Sequence, residues 1–409
     1  MWIGQTASSA GDSVMGVAIV FAVLRIGGTA ADIGIVVGVQ TVCKMIFVLV
    51  GGVWADRLPR QFVMLSADLI RGGVQVALAV LLLTGHAHIW QLAVGGAIFG
   101  SAEAFFAPAS TGLLPEMLPA DLLPQGNALL SFSNSFTTVG GPAIAGVIIA
   151  AFSPGVLFAL DGASFCANAI ALSMLKLPPR KISERESFRS ELAAGWHEMA
   201  IRPWYWLNLI AHTLWNFAFP AYFVLGPVIA ARSLGGASAW GAIAASFSAG
   251  AVAGGLFAGR ARPRRPLVAA NLALVLTVLP VLALARPAPT WVVAVAAAMC
   301  GLGLIFLNTV WNATMQQLIP QEVISRVNSY DWLISLLVMP AGYVLVGPIA
   351  DNVGFAPTLI GAAVLLGAPP VLAALIPGVR AVRRTADGKV VGPPLRQTVT
   401  ALAPTADGT

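Results

Sequence analysis

The chain has 409 residues, of which 58% are hydrophobic and 10% charged, and its mean hydropathy is +0.84. A water-soluble fold needs about 25% charged residues to wet its surface. A cytosolic enzyme and a secreted domain are therefore both excluded, and lipid is the solvent for most of this surface. The formal net charge of +6 comes from basic residues lying between apolar runs, without the interleaved aromatics of a nucleic-acid-binding patch.

A bilayer core of about 30 Å takes roughly 20 helical residues. Breaking the apolar runs at charges and Pro/Gly clusters predicts twelve spans, at 2–25, 30–50, 62–84, 89–109, 125–152, 155–176, 203–231, 238–258, 267–285, 290–312, 326–349 and 355–376. The expected fold class is an all-α membrane protein with twelve transmembrane helices in two six-helix pseudo-repeats. A bundle at 1–176 is followed by a linker at 177–202, a second bundle at 203–376 and a tail at 377–409. The linker carries Arg180, Lys181, Glu184, Arg185 and Glu186 and is expected on the cytoplasmic side, with an amphipathic helix around 187–200. The tail is Gly/Pro/Thr-containing and is expected to be disordered. The N-terminus lacks a basic n-region and a cleavage site, so the first run reads as a span rather than a signal peptide.

In the first span, Gln5, Ser8 and Asp12 are three and four residues apart and share one helical face. At about 1.5 Å per residue, Asp12 lies near the bilayer midplane. Such a stripe must face protein or water, which makes Asp12 a candidate for proton coupling or substrate contact; the bland alternative is a hydrogen bond to a neighbouring helix. Lys44 and Arg71 fall inside the second and third spans. Lys44 is expected to snorkel to the cytoplasmic face, and Arg71 to pair with Asp68 one turn earlier. Neither needs a transport role.

Glu103, among Gly95, Gly96 and Gly100 of the fourth span, is the second candidate proton carrier. In the fifth span the run Val139-Gly140-Gly141-Pro142-Ala143-Ile144-Ala145-Gly146 predicts a kink at Pro142, with Gly141 and Gly146 allowing close helix contact. Asn208, His212, Trp215 and Asn216 recur at helical spacing in the seventh span, and Asn308, Trp311 and Asn312 mark the tenth. An aromatic and amide stripe suits a mostly apolar substrate with a few hydrogen-bonding groups. Packing between helices explains it equally well, and His212 reads better as a hydrogen-bonded core histidine than as a proton relay. Asp161 and Asp331 lie nearer span ends and are weaker candidates. The cysteines Cys43, Cys166 and Cys300 are far apart inside apolar runs, which offers neither a metal spacing nor a disulfide framework.

Eighteen of the 23 Lys and Arg residues fall in gaps sharing one side with both termini, among them Arg57, Arg60, Arg180, Arg260 and Arg380. Only Arg25, Arg232 and Arg286 lie on the other side. The imbalance predicts that both termini are cytoplasmic in an inner-membrane protein.

The halves repeat. Met117-Leu118-Pro119-Ala120-Asp121-Leu122-Leu123 matches Leu318-Ile319-Pro320-Gln321-Glu322-Val323-Ile324 at an offset of 201, which also carries Asn127 to Asn328, Gly141 to Gly342 and Gly146 to Gly347. GGVWADRLPRQ (51–61) matches GGLFAGRARPR (254–264) at an offset of 203. Parallel repeats place a substrate path between the halves.

With Gly52, Asp56, Arg57 and Arg60 in GGVWADRLPR, the chain resembles the major facilitator superfamily, although Pro59 and Gln61 stand where Gly and a basic residue are commoner. The stretch AFFAPASTGLLPEMLP and the Ser9–Asp12 segment resemble its macrolide-efflux and enterobactin-exporter-like branch. The resemblance implies alternating access by a monomer. Gly52, Asp56, Arg57 and Arg60 would form a conformational latch against the eleventh span, and spans one, four, seven and ten would line the cavity. The fifth-span run approximates the antiporter motif with its glycine spacing off by one. The arginine usual in the fourth span of drug/proton antiporters is absent, with Gln91 the only strongly polar neighbour there.

No P-loop, dinucleotide turn, HExxH or Gly-x-Ser-x-Gly elbow is present. The expectation is therefore a non-enzymatic transporter without cofactor or metal, driven by an ion gradient. It would export a small drug-, macrolide- or siderophore-like molecule, with protons as the exchanged ion. An uptake symporter for a nutrient or lipid-like solute, and a non-transporting membrane receptor or scaffold, remain the alternatives.

Overall fold

The computed structural model describes residues 2–117, 122–175, 196, 199–286, 288–320 and 324–393. Among them are 12 helices long and apolar enough to cross a membrane. Numbered in chain order, the spans are Trp2–Arg25, Ala30–Val48, Arg60–Leu83, Ile89–Ser110, Ser133–Ala151, Pro154–Ser173, Pro203–Leu234, Gly236–Arg260, Pro266–Ala285, Thr290–Leu318, Tyr330–Val353 and Phe355–Leu375. Spans 2, 4 and 5 belong to longer helices, Ala30–Arg57, Ile89–Met117 and Leu123–Ala151. The amphipathic helix expected around 187–200 lies almost wholly outside the described residues.

We call the face at which span 1 begins the near face and the opposite one the far face. Side-chain bonds fasten helix ends on both. Trp2 Nε1 donates to Ser133 Oγ at 2.9 Å, and Gln61 Nε2 donates to the carbonyls of Leu172 and Leu175 at 2.6 and 2.9 Å on the near face. On the far face Arg25 donates to the Phe152 carbonyl at 3.3 Å.

Span 7 is broken where proline denies the helix its amide donor: Pro203–Ala218 stops before Pro220, and Pro220–Ile229 follows. A π-helical turn, Ala230–Leu234, closes the span, and Gly235 ends it with a φ of +104°, a conformation that favours glycine. Span 5, in contrast, runs as one helix through Pro142.

The two halves meet along two seams. Gly146 of span 5 lies against Ala237 and Gly241 of span 8, and Ala31, Gly34 and Gly38 of span 2 lie against Gly347, Tyr343 and Val344 of span 11. These seams are equivalent under the repeat, because exchanging the halves turns the span 5–8 contact into the span 11–2 contact. The offset that carries Gly141 to Gly342 has the same effect within each half: Gly141 packs on Ser13 of span 1, and Gly342 packs on Phe217 of span 7.

The residues of the two inter-half seams belong to the far-face halves of their spans, and the buried core bridges the bundles there, although within the second bundle it runs on to Ala258, Phe306 and Val310 toward the near face. One apolar core joins both bundles, running from Val17 and Ile33 to Leu225, Ile243 and Val346. Toward the near face it separates into two smaller cores. One, in the first bundle, is built on Val63, Met64, Leu113 and Leu172. The other, in the second bundle, is built on Tyr205, Leu267, Trp311 and Met315. Among the described residues the halves are thus joined by a common core at the far face and have separate cores at the near face.

The tail expected to be disordered is ordered as far as it is described. A short helix, Pro377–Ala381, leads into an antiparallel pair, Arg383–Arg384 with Val390–Val391. Its Gly, Pro and Thr content suggests a disordered chain, but Val379, Val382 and Val390 are buried in the core of the second bundle. The Arg384 amide also donates to the Arg264 carbonyl at 2.8 Å, and the Val390 amide to Gln317 Oε1 at 3.0 Å.

Candidate substrate cavity

Between the two halves lies a cavity of about 1080 Å³. Its walls are mostly apolar, with Met15, Ile19, Val37, Leu78 and Phe99 from the first bundle and Phe223, Trp332, Leu333 and Tyr343 from the second. Such a chamber matches a drug-sized apolar body anchored by few polar groups. The polar groups are distributed unequally: Asp12, Gln40, Lys44, Gln75 and Glu103 all stand on the first bundle, and Asn328, in the helix Ile324–Leu336 that leads into span 11, faces them.

Asp12 and Glu103, the two carboxylates singled out from the sequence, both lie on this wall. The Glu103 carboxylate accepts from Lys44 Nζ at 2.7 Å, with the two side chains 29% and 45% exposed. The expectation that Lys44 snorkels to the membrane edge is therefore overturned. Its acidic partner on span 4 holds the ammonium in the cavity instead.

Behind Asp12 is a buried polar network that periodicity did not show. Arg71 pairs with Asp68 as expected, but its Nη1 also stands 3.9 Å from the Asp12 carboxylate. Its guanidinium lies 4.2 and 4.3 Å from the ring centroids of Phe106 and Phe165, within cation–π range. Asn168 donates to the second oxygen of Asp68 at 2.7 Å. Gln75, itself on the cavity wall, donates to Asp161 Oδ2 at 2.6 Å. Asp161, a weaker candidate by its place near a span end, is fully buried, and among the described residues its Oδ1 has no hydrogen-bond partner. Small residues of span 1 bring these groups together: Gly4 lies against Asn168, and Gly11 against Asp161 and Ser164.

The polar stripes of spans 7 and 10 have a different role. Asn208 is fully buried, donates to the Trp204 carbonyl at 2.7 Å and accepts from Asn271 at 2.8 Å. Trp215 donates to Thr277 at 2.9 Å, and His212 packs edge-on against Trp311, 5.1 Å between centroids. Trp311 in turn donates to Asp331 at 2.7 Å. None of Asn208, His212, Trp215 and Asn216 lines the cavity, so the aromatic and amide stripe of span 7 is packing within the second bundle. Asn308 and Asn312 are exposed on span 10 but lie off the cavity wall, as do half-buried Gln5 and buried Ser8 on span 1.

Gly52, Asp56 and Arg57 occupy the last turns of the helix Ala30–Arg57, and their surroundings lie outside the described residues. Arg60 begins the next helix. Gly141, Pro142 and Gly146 serve close approach: Gly141 to Ser13, the Pro142 carbonyl and Gly146 to Gly241. Among the described residues no cluster of three or more His, Cys, Asp or Glu side chains could hold a metal ion.

Comparison with known proteins agrees with this architecture. The chain is 24% identical over 363 residues to macrolide efflux protein A of Streptococcus pyogenes, covering 87% of this chain and 89% of that protein. It is 25% identical over 398 residues to the multidrug efflux pump Tap of Mycolicibacterium fortuitum, covering 91% and 94%. Its fold is similar to that of a bacterial homologue of the human lysosomal transporter Spinster, solved in an inward-facing and unoccupied conformation. The TM-score is 0.73 at 15% identity, over 91% of this chain and 95% of that one. The family model of the Major Facilitator Superfamily matches residues 1–334. The protein is thus a multi-pass membrane transporter rather than an enzyme, and it belongs to the Major Facilitator Superfamily.

Proposed function

We propose that this transporter exports a small amphipathic molecule of drug, macrolide or siderophore type across the cytoplasmic membrane in exchange for protons. The observation that carries this reading is the cavity: apolar, drug-sized, closed by a shared core on the far face and open between two separate cores on the near face. Eighteen of the 23 basic residues belong to the near-face side, which favours a cytoplasmic near face and cytoplasmic termini. The cavity then takes substrate from the cytoplasm. Relatives named as macrolide and multidrug efflux proteins, aligned over most of their length, support export.

Coupling follows from the pairing of Arg71. Asp68 neutralises it inside the bundle, so Asp12, at 3.9 Å and facing the cavity, is free to gain and lose a proton without stranding a buried charge. Glu103 is the second exchangeable carboxylate, with Lys44 as its counter-ion. A monomer suffices for this cycle. When the halves rock, Gly52, Asp56, Arg57 and Arg60 would latch the near face shut against span 11.

Everted membrane vesicles test the reading. A macrolide or cationic dye should accumulate in vesicles with an acidic lumen, and the accumulation should collapse with the pH gradient. Accumulation that ignores the gradient removes proton exchange, and flux only in the opposite direction makes the protein an uptake symporter.

A further inference from the structure

A second, smaller cavity of about 340 Å³ opens on the near face, away from the substrate path, lined by Arg265, Pro377, Arg380, Ala381 and Arg383. Arg265 immediately precedes span 9, and the other four residues follow span 12. All three guanidinium groups are exposed, and among the described residues no carboxylate pairs with them. The nearest tail acid in sequence, Asp387, is engaged by the Thr385 hydroxyl.

The arrangement is fixed by the fold. Val379 and Val382, fully buried, immediately precede Arg380 and Arg383 and hold the backbone against the second bundle. The Arg384 amide bonds the Arg264 carbonyl and the Val390 amide bonds Gln317, so the tail cannot swing its arginines away from Arg265 without breaking that docking. Three like charges around one hollow repel one another unless an anion sits among them. Guanidinium forks match phosphate oxygens bidentately.

We propose that this pocket binds the phosphate of an anionic phospholipid. Its depth and surroundings favour a lipid over a soluble phosphate. The pocket lies at the ends of two membrane spans, where a bilayer crossed by those spans presents its headgroups. Leu272, two helical turns beyond Arg265, and Leu372 and Leu375, at the end of span 12, are 51%, 62% and 60% exposed and offer an apolar surface to acyl chains. The lining holds arginine, proline and alanine only, which selects charge and contains nothing to read a base or sugar. A basic pocket between spans on the cytoplasmic side is a recurring form of anionic headgroup recognition. The tail is thereby a lipid-binding element docked on the second bundle, and this holds whichever way substrate moves.

The test uses the full chain purified in detergent, titrated with phosphatidylglycerol, phosphatidylcholine or inorganic phosphate, and read by native mass spectrometry and thermal unfolding. Each basic residue near a membrane surface gives about a fivefold preference for anionic lipid, so three together give roughly a hundredfold. Wild type should retain phosphatidylglycerol about a hundredfold better than phosphatidylcholine. The triple substitution Arg265→Gln, Arg380→Gln, Arg383→Gln should abolish the difference, while Arg286→Gln, on the far face, leaves it intact. If the triple variant fails to fold, Arg380→Gln and Arg383→Gln singly should each lose about fivefold. Unchanged retention in the variants overturns the site, and protection by inorganic phosphate equal to that by phosphatidylglycerol overturns the lipid assignment.

Discussion

Arg71 of span 3 is 1% exposed and stands 3.9 Å from Asp12 of span 1, whose side chain is 43% exposed to the cavity. The two acids around this arginine therefore have unequal duties. Asp68 is fully buried and its removal strands a guanidinium in the bundle, a loss of about 3–5 kcal/mol. Asp68→Asn should sharply lower the melting temperature in detergent and the yield of folded protein. Asp12→Asn should melt within a few degrees of wild type yet lose gradient-driven accumulation. Equal thermal losses in the two variants would contradict this division.

The Lys44–Glu103 pair is half-exposed, so its net worth to stability is below about 1 kcal/mol. Its effect on cavity charge is larger. Glu103→Gln leaves an uncompensated ammonium facing the substrate and should weaken binding of a cationic amphiphile about tenfold, with a neutral analogue little affected. Lys44→Met should do the reverse. Binding measured by fluorescence quenching decides it, and equal changes for cationic and neutral ligands would sink the assignment.

The far-face seam leaves no room for a side chain at Gly146. A Cβ there would meet the Ala237 carbonyl oxygen at 2.7 Å and the Gly241 Cα at 3.0 Å, both backbone atoms that cannot rotate away. Gly146→Leu should pry spans 5 and 8 apart and shift the protein toward a far-open state. A cysteine placed at Ala237 should then react with a membrane-impermeant maleimide from the far face about tenfold faster, a population shift of about 1.4 kcal/mol. Unchanged reactivity would mean that the seam is not the far-face closure.

Docking of the tail depends on three valines. Val382→Ala should cost roughly 2 kcal/mol of second-bundle stability, and Val382→Asp should release residues 377–393 to hydrogen exchange. Exchange as slow as in wild type after Val382→Asp would show that the burial is not what holds the segment.

The spans and their order were legible because length and hydropathy set them, and the glycines that carry the repeat, Gly141 with Gly342 and Gly146 with Gly347, recur in equivalent contacts. Partners were not legible. Helical periodicity fixes which face a residue occupies but not what stands opposite. Hence Lys44 with Glu103, 59 residues apart, and Gln75 with Asp161, 86 apart, are seen only in three dimensions. The same limit holds for span 7, where periodicity fits a cavity wall and helix packing equally well. A stripe of Asn208, His212 and Trp215 has the pattern of a cavity wall, but Asn271 and Thr277 bond Asn208 and Trp215 inside the bundle, and His212 only packs on Trp311, its Nε2 without a hydrogen-bond partner among the described residues rather than bonded as its setting predicts. The tail looked solvated because of its Gly, Pro and Thr content, and the few valines that dock it carry no periodic signal.

The central claim is that the halves exchange a near-open for a far-open state as substrate and protons bind. Electron–electron double resonance between spin labels measures it most directly, with one pair at Leu129 and Leu256 near the near-face ends of spans 5 and 8 and another at Phe152 and Ser238 at their far-face ends. On adding substrate and changing pH, the near-face distance should shorten while the far-face distance lengthens. Distributions that stay fixed, or that move in the same direction at both faces, would contradict the account.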